Sequence, residues 1–387
     1  VSLDDELNNL LDSKRVVSHP SGWEPGVAWD GNAGVLTSHP MDAAPSDWST
    51  LLAVWDLDPE MFEVVEPVQY RAWDAPNGGG GVRRMFYYRA AIRRRRANNV
   101  GVEELLQALR KRRPKPVASS DSGRMFCVCA GDLQLGKVDG DGTEGTVNRF
   151  LEKTDASVAR LTELRKAKRP ISGVLLPWLG DCIEGLTSQG GALAAAGRLD
   201  LTVTEQVRVY RRLMLHQVQL FAGLADRVVI PVVPGNHDEG QRVGKVVRRY
   251  DDSWAIEGAM AVADALKLAG GFEHVSFVFP AVDELTVTLD VAGTVTGFAH
   301  GHQFGTSAMK WWAGQAHGRQ PIGDATLLLG AHLHHLRVEQ GGAKTFMQIP
   351  ALDGGSTWWR HKTGQDAPPG MVSMLIGDGG WSDLLVV

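Results

Sequence analysis

Residues 228–240 read VVIPVVPGNHDEG: an apolar, β-branched run that stops at Pro-Gly and then sets an amide (Asn236), an imidazole (His237) and a carboxylate (Asp238) in a row. Such a run is a buried strand, and its polar ending is either a solvated turn or a chemical site at the strand's mouth. The rest of the chain separates the two. RMFCVCAGD (124–132) and SGVLLPWLGD (172–181) are further apolar runs that end in Gly-Asp. Between these strands lie helical periods. TVNRFLEKTDASVARLTELRKA (146–167) places Val147, Leu151, Val158, Leu161 and Leu164 near one face, TEQVRVYRRLMLHQVQLFAGL (204–224) follows, and SWAIEGAMAVADALKLAG (253–270) closes the series. Polar clusters at the C-terminal ends of alternating strands are where open α/β sheets carry their sites.

After residue 270 the pattern becomes all strand: VSFVFPAV, ELTVTLDV, TVTGFAHG, TLLLGAHLHHLRVEQ, TFMQIPAL, MVSMLIG and WSDLLVV. Alternating β/α units followed by a β-meander predict an α/β fold of two packed sheets flanked by helices. At 387 residues the chain exceeds the usual size of one core. The expected division is an N-terminal accessory domain over 1–115, a linker rich in Pro, Ser and charge over 116–123, and a large domain over 124–387. In the small domain, DWSTLLAVWDLDPEMFEVV (47–65) reads as two short helices. A hairpin follows, QYRAWDA and RRMFYYRAAIRRRR around PNGGGG. That α+β order, helix, helix, basic hairpin, is winged-helix-like, and a packing or oligomerisation module explains it equally well.

The net charge of −5, from 40 Lys+Arg against 45 Asp+Glu, excludes no partner, but its distribution is uneven. Up to Val82 the only basic residues are Lys14, Arg15 and Arg71, whereas Arg83 to Lys115 carries twelve, including Arg93, Arg94, Arg95 and Arg96. That run is a candidate nucleic-acid contact, with a solvated strand face as its bland alternative. No apolar run approaches a membrane span, and VSLDDELNNLL is acidic where a secretion signal would be basic, so a soluble cytoplasmic protein without membrane contact is expected. Cys127 and Cys129 alternate inside MFCVCA and should pack on one face of a buried strand; with Cys182 they are too few for a disulfide framework.

The decisive pattern is the set of five strand ends taken together: Asp132 and Gln134 in GDLQLG, Asp181 in GDCIEG, Asn236 and His237 in GNHD, His300 in AHGHQFG, and His332 with His334 in GAHLHH. Two aspartates, two amides and four of the twelve histidines converge there. Mixed carboxylate, amide and imidazole donors suit a borderline divalent metal such as Mn, Fe or Zn.

This ordered set, GD-x-Q, GD-x-x-E, GNHD, HGH and G-x-H-x-H, resembles the signature blocks of the calcineurin-like metallophosphoesterases, of bacterial or phage type. The resemblance runs from about Arg124 to at least His334. It implies a β-sandwich flanked by helices with two divalent metals at the strand ends, manganese first, with Fe, Ni or Zn as alternatives. Asp132, Gln134, Asp181 and His334 would hold the first ion; Asp181, Asn236, His300 and His332 the second. His237 would give a proton to the leaving group or contact the phosphate, oriented by Asp238. The chemistry fits phosphoester hydrolysis, because paired ions clamp phosphoryl oxygens and lower the pKa of a bound water toward roughly 7. Gln134 departs from the histidine usual at that place and favours a harder metal.

The Leu-Gly of DLQLG is similar to SbcD-type nuclease subunits, which implies phosphodiester hydrolysis in nucleic acid, with an SbcC-type ATPase or a second copy as partner. The alternatives are a phosphatase, pyrophosphatase or cyclic phosphodiesterase for small nucleotides, and a DNA-binding or scaffold subunit with a vestigial site. Other features carry less. DGDGTEG fails as a calcium loop, since Glu144 and Phe150 stand where Gly and Glu are needed. His216 and His274 read as packed or solvated. Trp311, Trp312, His317, Trp358, Trp359, Arg360 and His361 are candidates for base stacking, with packing preferred, and His302 is a candidate to support the ligands.

Overall fold

A computed structural model of the chain describes residues 21–29, 33–45, 47–59, 62–77, 81–94, 123–186, 199–240, 242–243, 246–247, 249–355, 360–361, 364 and 366–387. Arg95, Arg96, Trp358, Trp359 and residues 116–122 of the linker expected over 116–123 lie outside the described residues, as does the side chain of Arg94. The chain divides into two compact units, Val1–Asn99 and Val100–Val387.

The first unit contains β1 (Gly26–Trp29), β2 (Ala33–Thr37), α1 (Ser49–Ala53), β3 (Phe62–Asn77) and β4 (Gly81–Arg94). The strands form one antiparallel sheet in the order β1-β2-β4-β3. The expected hairpin is there, but the second helix is not. Residues 62–65 instead open β3, with Phe62, Glu63 and Val64 paired to Arg94, Arg93 and Ile92. Phe62 and Val64 alternate onto a small core of Leu36, Leu51, Leu52, Tyr88 and Ile92. Period-two burial against that core outweighs the weak helical signal of the same residues. With β1 and β2 added in front, the described residues form a four-stranded sheet carrying one short helix in place of the helix-helix-hairpin order.

The described residues of the second unit begin with three parallel strands and two helices between them: β5 (Arg124–Cys129), α2 (Gly142–Lys166), β6 (Ile171–Leu175), α3 (Val203–Ala222) and β7 (Val228–Pro231). A short ribbon follows, β8 (Arg242–Val243) with β9 (Val246–Val247), then α4 (Trp254–Ala269) and β10 (Val275–Val278). Next come β11 (Thr286–Val291), β12 (Thr294–Ala299), α5 (Ala308–His317), β13 (Leu327–Gly330), β14 (Arg337–Gly341) and β15 (Lys344–Gln348). The chain ends on β16 (Val372–Gly377) and β17 (Gly380–Val386). Two sheets result, β10-β7-β6-β5-β16-β17 and β11-β12-β13-β15-β14.

Strand alternation sets the layers. In β5, Met125, Cys127 and Cys129 face the second sheet and pack with Phe298, Leu327, Leu329 and Met347. Phe126 and Val128 face the other way, onto a core that includes Phe150 of α2, Tyr210, Met214 and Phe221 of α3, and Val262 of α4. On the far side, Ala308 and Trp312 of α5, four residues apart, cover Ala299, Leu328 and Phe346. The large domain is therefore a β-sandwich with helices on both outer faces. Among the described residues no helix is long and apolar enough to cross a membrane.

Two features depart from the expected meander. The C-terminal region is not all strand, since α5 interrupts it. And β12 pairs with β13, and β13 with β15, in parallel. This departure positions the site. Parallel strands end at one edge, so the loops after β12 and β13, which carry His300 and His332, emerge together; an antiparallel pair would have sent them to opposite edges.

Candidate metal centre

The residues at these strand ends hold unusual backbone conformations. Asp132 (φ 49°), Gln134 (43°), Asp181 (49°), His332 (77°) and His334 (59°) are all left-handed without being glycine. Each such residue costs on the order of 1 kcal/mol or more, and that cost persists where surrounding contacts fix it. The N–H of Asp132 donates to the Gly180 carbonyl at 3.0 Å and that of Gln134 to the Asp181 carbonyl at 2.9 Å. Gly235 is required by close approach: a Cβ there would lie 2.0 Å from Asp181 Oδ1.

Each carboxylate spends one oxygen on the backbone and leaves the other facing the centre. Asp181 Oδ1 accepts from the His237 N–H at 2.8 Å, and Asp132 Oδ2 from the His332 N–H at 2.8 Å. Asp181 Oδ2 then stands 3.1 Å from His300 Nε2. Asp132 Oδ1 stands 3.5 Å from His334 Nε2 and 4.0 Å from His300 Nε2. The His300 ring is fixed by its Nδ1, which donates to the Leu179 carbonyl at 2.7 Å and so aims Nε2 at the carboxylates. One donor atom each of Asp181, His300 and His332 lie within 4.8 Å of one another.

A test of fit comes from the buried atoms. Asp132 Oδ1 and Asn236 Oδ1 are buried without a hydrogen-bond partner, while His300 Nε2 has the Asp181 carboxylate beside it. An unmatched buried polar atom costs about 1–3 kcal/mol, and both oxygens are metal-type donors on the loops that carry the cluster. Three oxygen donors and three imidazoles suit a divalent cation, and the residues fit it. The second position would be held by Asp181, Asn236, His300 and His332, the first by Asp132, Asp181 and His334.

Burial opposes charge on His300, but Asp181 and Asp132 carry its pKa up to about 9. Burial likewise opposes charge on Asp181, yet His300 and His237 hold its carboxyl far below the usual range. His332 moves the other way, down to about 4, through burial first and the His300 charge second. It is a neutral imidazole, ready to ligate; a cation would displace the proton of His300.

His237 stands beside the cluster, with Nε2 3.8 Å from Asp181 Oδ2. Its Nδ1 meets Glu184 Oε2 at 3.1 Å. This corrects the expectation that Asp238 orients it. The Asp238 carboxylate is turned away and accepts the backbone N–H groups of Ile183 at 3.2 Å and Gly235 at 3.0 Å, tying two site loops together. Burial opposes the charged ring of His237, while Asp181 and Glu184 raise it to about 9. The protonated ring is a proton donor in reach of the cluster. Glu184 was visible only as the last residue of GDCIE, and spacing alone did not tie it to His237.

Gln134 also differs from expectation. Its amide oxygen, expected on a metal, accepts from the Lys137 ammonium at 2.9 Å. Lys137 also bonds Asp353 Oδ2, and the other oxygen of Asp353 is 3.4 Å from His334 Nδ1. Lys137 and Asp353 are both buried polar residues of the centre that the sequence did not single out.

The remaining candidates fall outside the cluster. The His302 ring is 5.6 Å from that of His300 and 6.3 Å from that of His332. His274 bonds the Ala222 carbonyl at 3.0 Å. Trp312 is buried, its Nε1 bonded to the Ile322 carbonyl, and Trp311 packs on Phe304. His317, Arg360 and His361 are exposed. In the first unit Arg93 pairs with Glu63 at 2.6 Å and Arg83 with Asp42 at 3.4 Å.

No family model matches the chain, and no curated protein matches it. Solved structures similar to it include a predicted phosphoesterase from Streptococcus pneumoniae TIGR4 (14% identity, 68% of this chain and 90% of that one, TM-score 0.31). Vacuolar protein sorting 29 from Cryptosporidium parvum is another (16%, 69% and 98%, 0.33). So is an archaeal phosphodiesterase (10%, 68% and 100%, 0.32). TM-scores this low assign no family.

Proposed function

We propose that the chain is a divalent-metal-dependent phosphoesterase of the calcineurin-like kind that hydrolyses phosphodiester bonds, with nucleic acid as its substrate class. The observation that carries this reading is the cluster of Asp181, His300 and His332, one donor atom of each within 4.8 Å of the others, beside the buried Asp132 Oδ1 and Asn236 Oδ1 that no hydrogen bond satisfies. Divalent ions bound there would neutralise phosphoryl oxygens and lower the pKa of an attacking water toward roughly 7. Asp181, at the middle of the cluster, would serve both positions. His237 would hand a proton to the leaving alkoxide, and Glu184 would hold the ring at the angle that permits it. Manganese, Fe and Zn all suit the mixed donors.

The test begins with chelator-stripped protein. Adding Mn2+ should restore cleavage of a generic aryl phosphodiester well above that of the matching phosphomonoester; equal silence toward both sinks the reading. Single-stranded DNA, duplex DNA and a small nucleotide diester then sort the substrate. The basic strand β4 supports the nucleic-acid choice, through exposed Arg84 and the exposed part of Arg93. DNA affinity should fall with salt at about −0.7 to −0.9 per phosphate contact, and replacing Arg93 to Arg96 with alanine should flatten that slope. Arg93 is already paired with Glu63. If the chain cleaves the small diester yet binds DNA without salt dependence, a small nucleotide is the substrate.

A further inference from the structure

We propose that Lys137 makes the two metal positions unequal, by taking the Gln134 amide oxygen for itself and leaving the first position one ligand short. This rests on the metal-centre reading above. Lys137 is buried, and its ammonium bonds Gln134 Oε1 at 2.9 Å and Asp353 Oδ2. An ammonium only donates, so the amide atom facing it must be the oxygen; the flipped amide would set two donors against each other. The other end of the amide is thereby fixed as well. Gln134 Nε2 lies 3.4 Å from His334 Nε2, so the group Gln134 turns toward a ligand of the first position is an NH2, which cannot coordinate a cation.

Asp353 locks the arrangement from behind. One oxygen neutralises Lys137, and the other faces His334 Nδ1 at 3.4 Å, leaving His334 Nε2 aimed at Asp132 Oδ1. The first position keeps Asp132, His334 and the shared Asp181, with a cation hydrogen-bonded beside them. The second keeps Asp181, Asn236, His300 and His332, and among the described residues no lysine or arginine is bonded to any of these four. A full ligand set without a neighbouring ammonium binds a divalent ion more tightly than a reduced set with one.

The experiment titrates Mn2+ alone into the chelator-stripped full chain by calorimetry, with metal content read by mass spectrometry after desalting. Wild type should bind one ion tightly and a second at least about tenfold more weakly, a difference in the range that neighbouring hydrogen-bond partners impose on metal affinity. Lys137→Met should tighten the weaker ion by about tenfold and leave the tighter one within about twofold. Gln134→Leu should leave both ions as in wild type. Two ions of equal affinity in wild type overturn the proposal, and so does a Gln134→Leu variant that loses an ion, because the amide would then be a ligand. Should Lys137→Met not fold, the wild-type and Gln134→Leu titrations still decide. A wild-type chain that binds no Mn2+ removes the metal centre itself, a different failure from equal binding.

Discussion

The two sheets contribute different chemistry to the centre. The six-stranded sheet brings oxygen donors, Asp132, Asp181 and Asn236, on loops clamped to one another by backbone hydrogen bonds. The five-stranded sheet brings imidazoles, His300, His332 and His334, and two of these are oriented by partners outside their own loops: the Leu179 carbonyl behind His300 and Asp353 behind His334. Neither sheet alone holds a mixed donor set. The site exists because the sandwich closes, and Cys127, Cys129 and Met374 packed against Phe298 and Leu329 are as much a condition of it as the ligands.

The largest test of this division is Asp181→Asn, which removes a carboxylate oxygen central to the cluster. Metal-dependent turnover should vanish and metal content fall with the fold intact; wild-type turnover would end the shared role. Next is His237→Ala, which leaves the donors of both sheets in place. Turnover should drop about 10²–10⁴-fold, the range for a general acid, while bound metal is retained, and a substrate with a good leaving group should lose less.

A sharper contrast separates the two carboxylates near His237. Glu184→Gln should lower turnover about 10–100-fold through loss of ring orientation, with thermal stability nearly unchanged. Asp238→Ala should instead cost about 1–3 kcal/mol of stability, read by denaturant unfolding, because two loop amides lose their buried acceptor. Reversal of these two phenotypes would restore Asp238 as the orienting group. The smallest effect should be at His302 on the second sheet, where His302→Ala should change turnover by less than about tenfold, since its ring lies beside the imidazoles rather than among the donors.

Much of the centre was legible because each ligand sits where an apolar run stops, and the sequence shows such stops directly. Asp132, Asp181, His300, His332 and His334 lie near one another at those stops. What was hidden is pairing across distance. Asp353 meets Lys137 across 216 positions, and no local pattern announces that contact. Gln134 looked like a ligand because its type and place fit one; only the neighbouring ammonium reveals which end of the amide faces in. The parallel entry of β13 beside β12 was also invisible, since an apolar run gives no strand direction. In the first unit, Phe62 to Val65 carried both helical and strand signals, and the tertiary partner Ile92 decided between them.

The most direct measurement of the central claim is anomalous diffraction at the manganese edge from crystals of the full chain grown with Mn2+. A peak bonded to Asp181, Asn236, His300 and His332 is predicted, with a weaker second peak beside Asp132 and His334. Crystals at saturating Mn2+ with no anomalous density among these side chains would contradict the account.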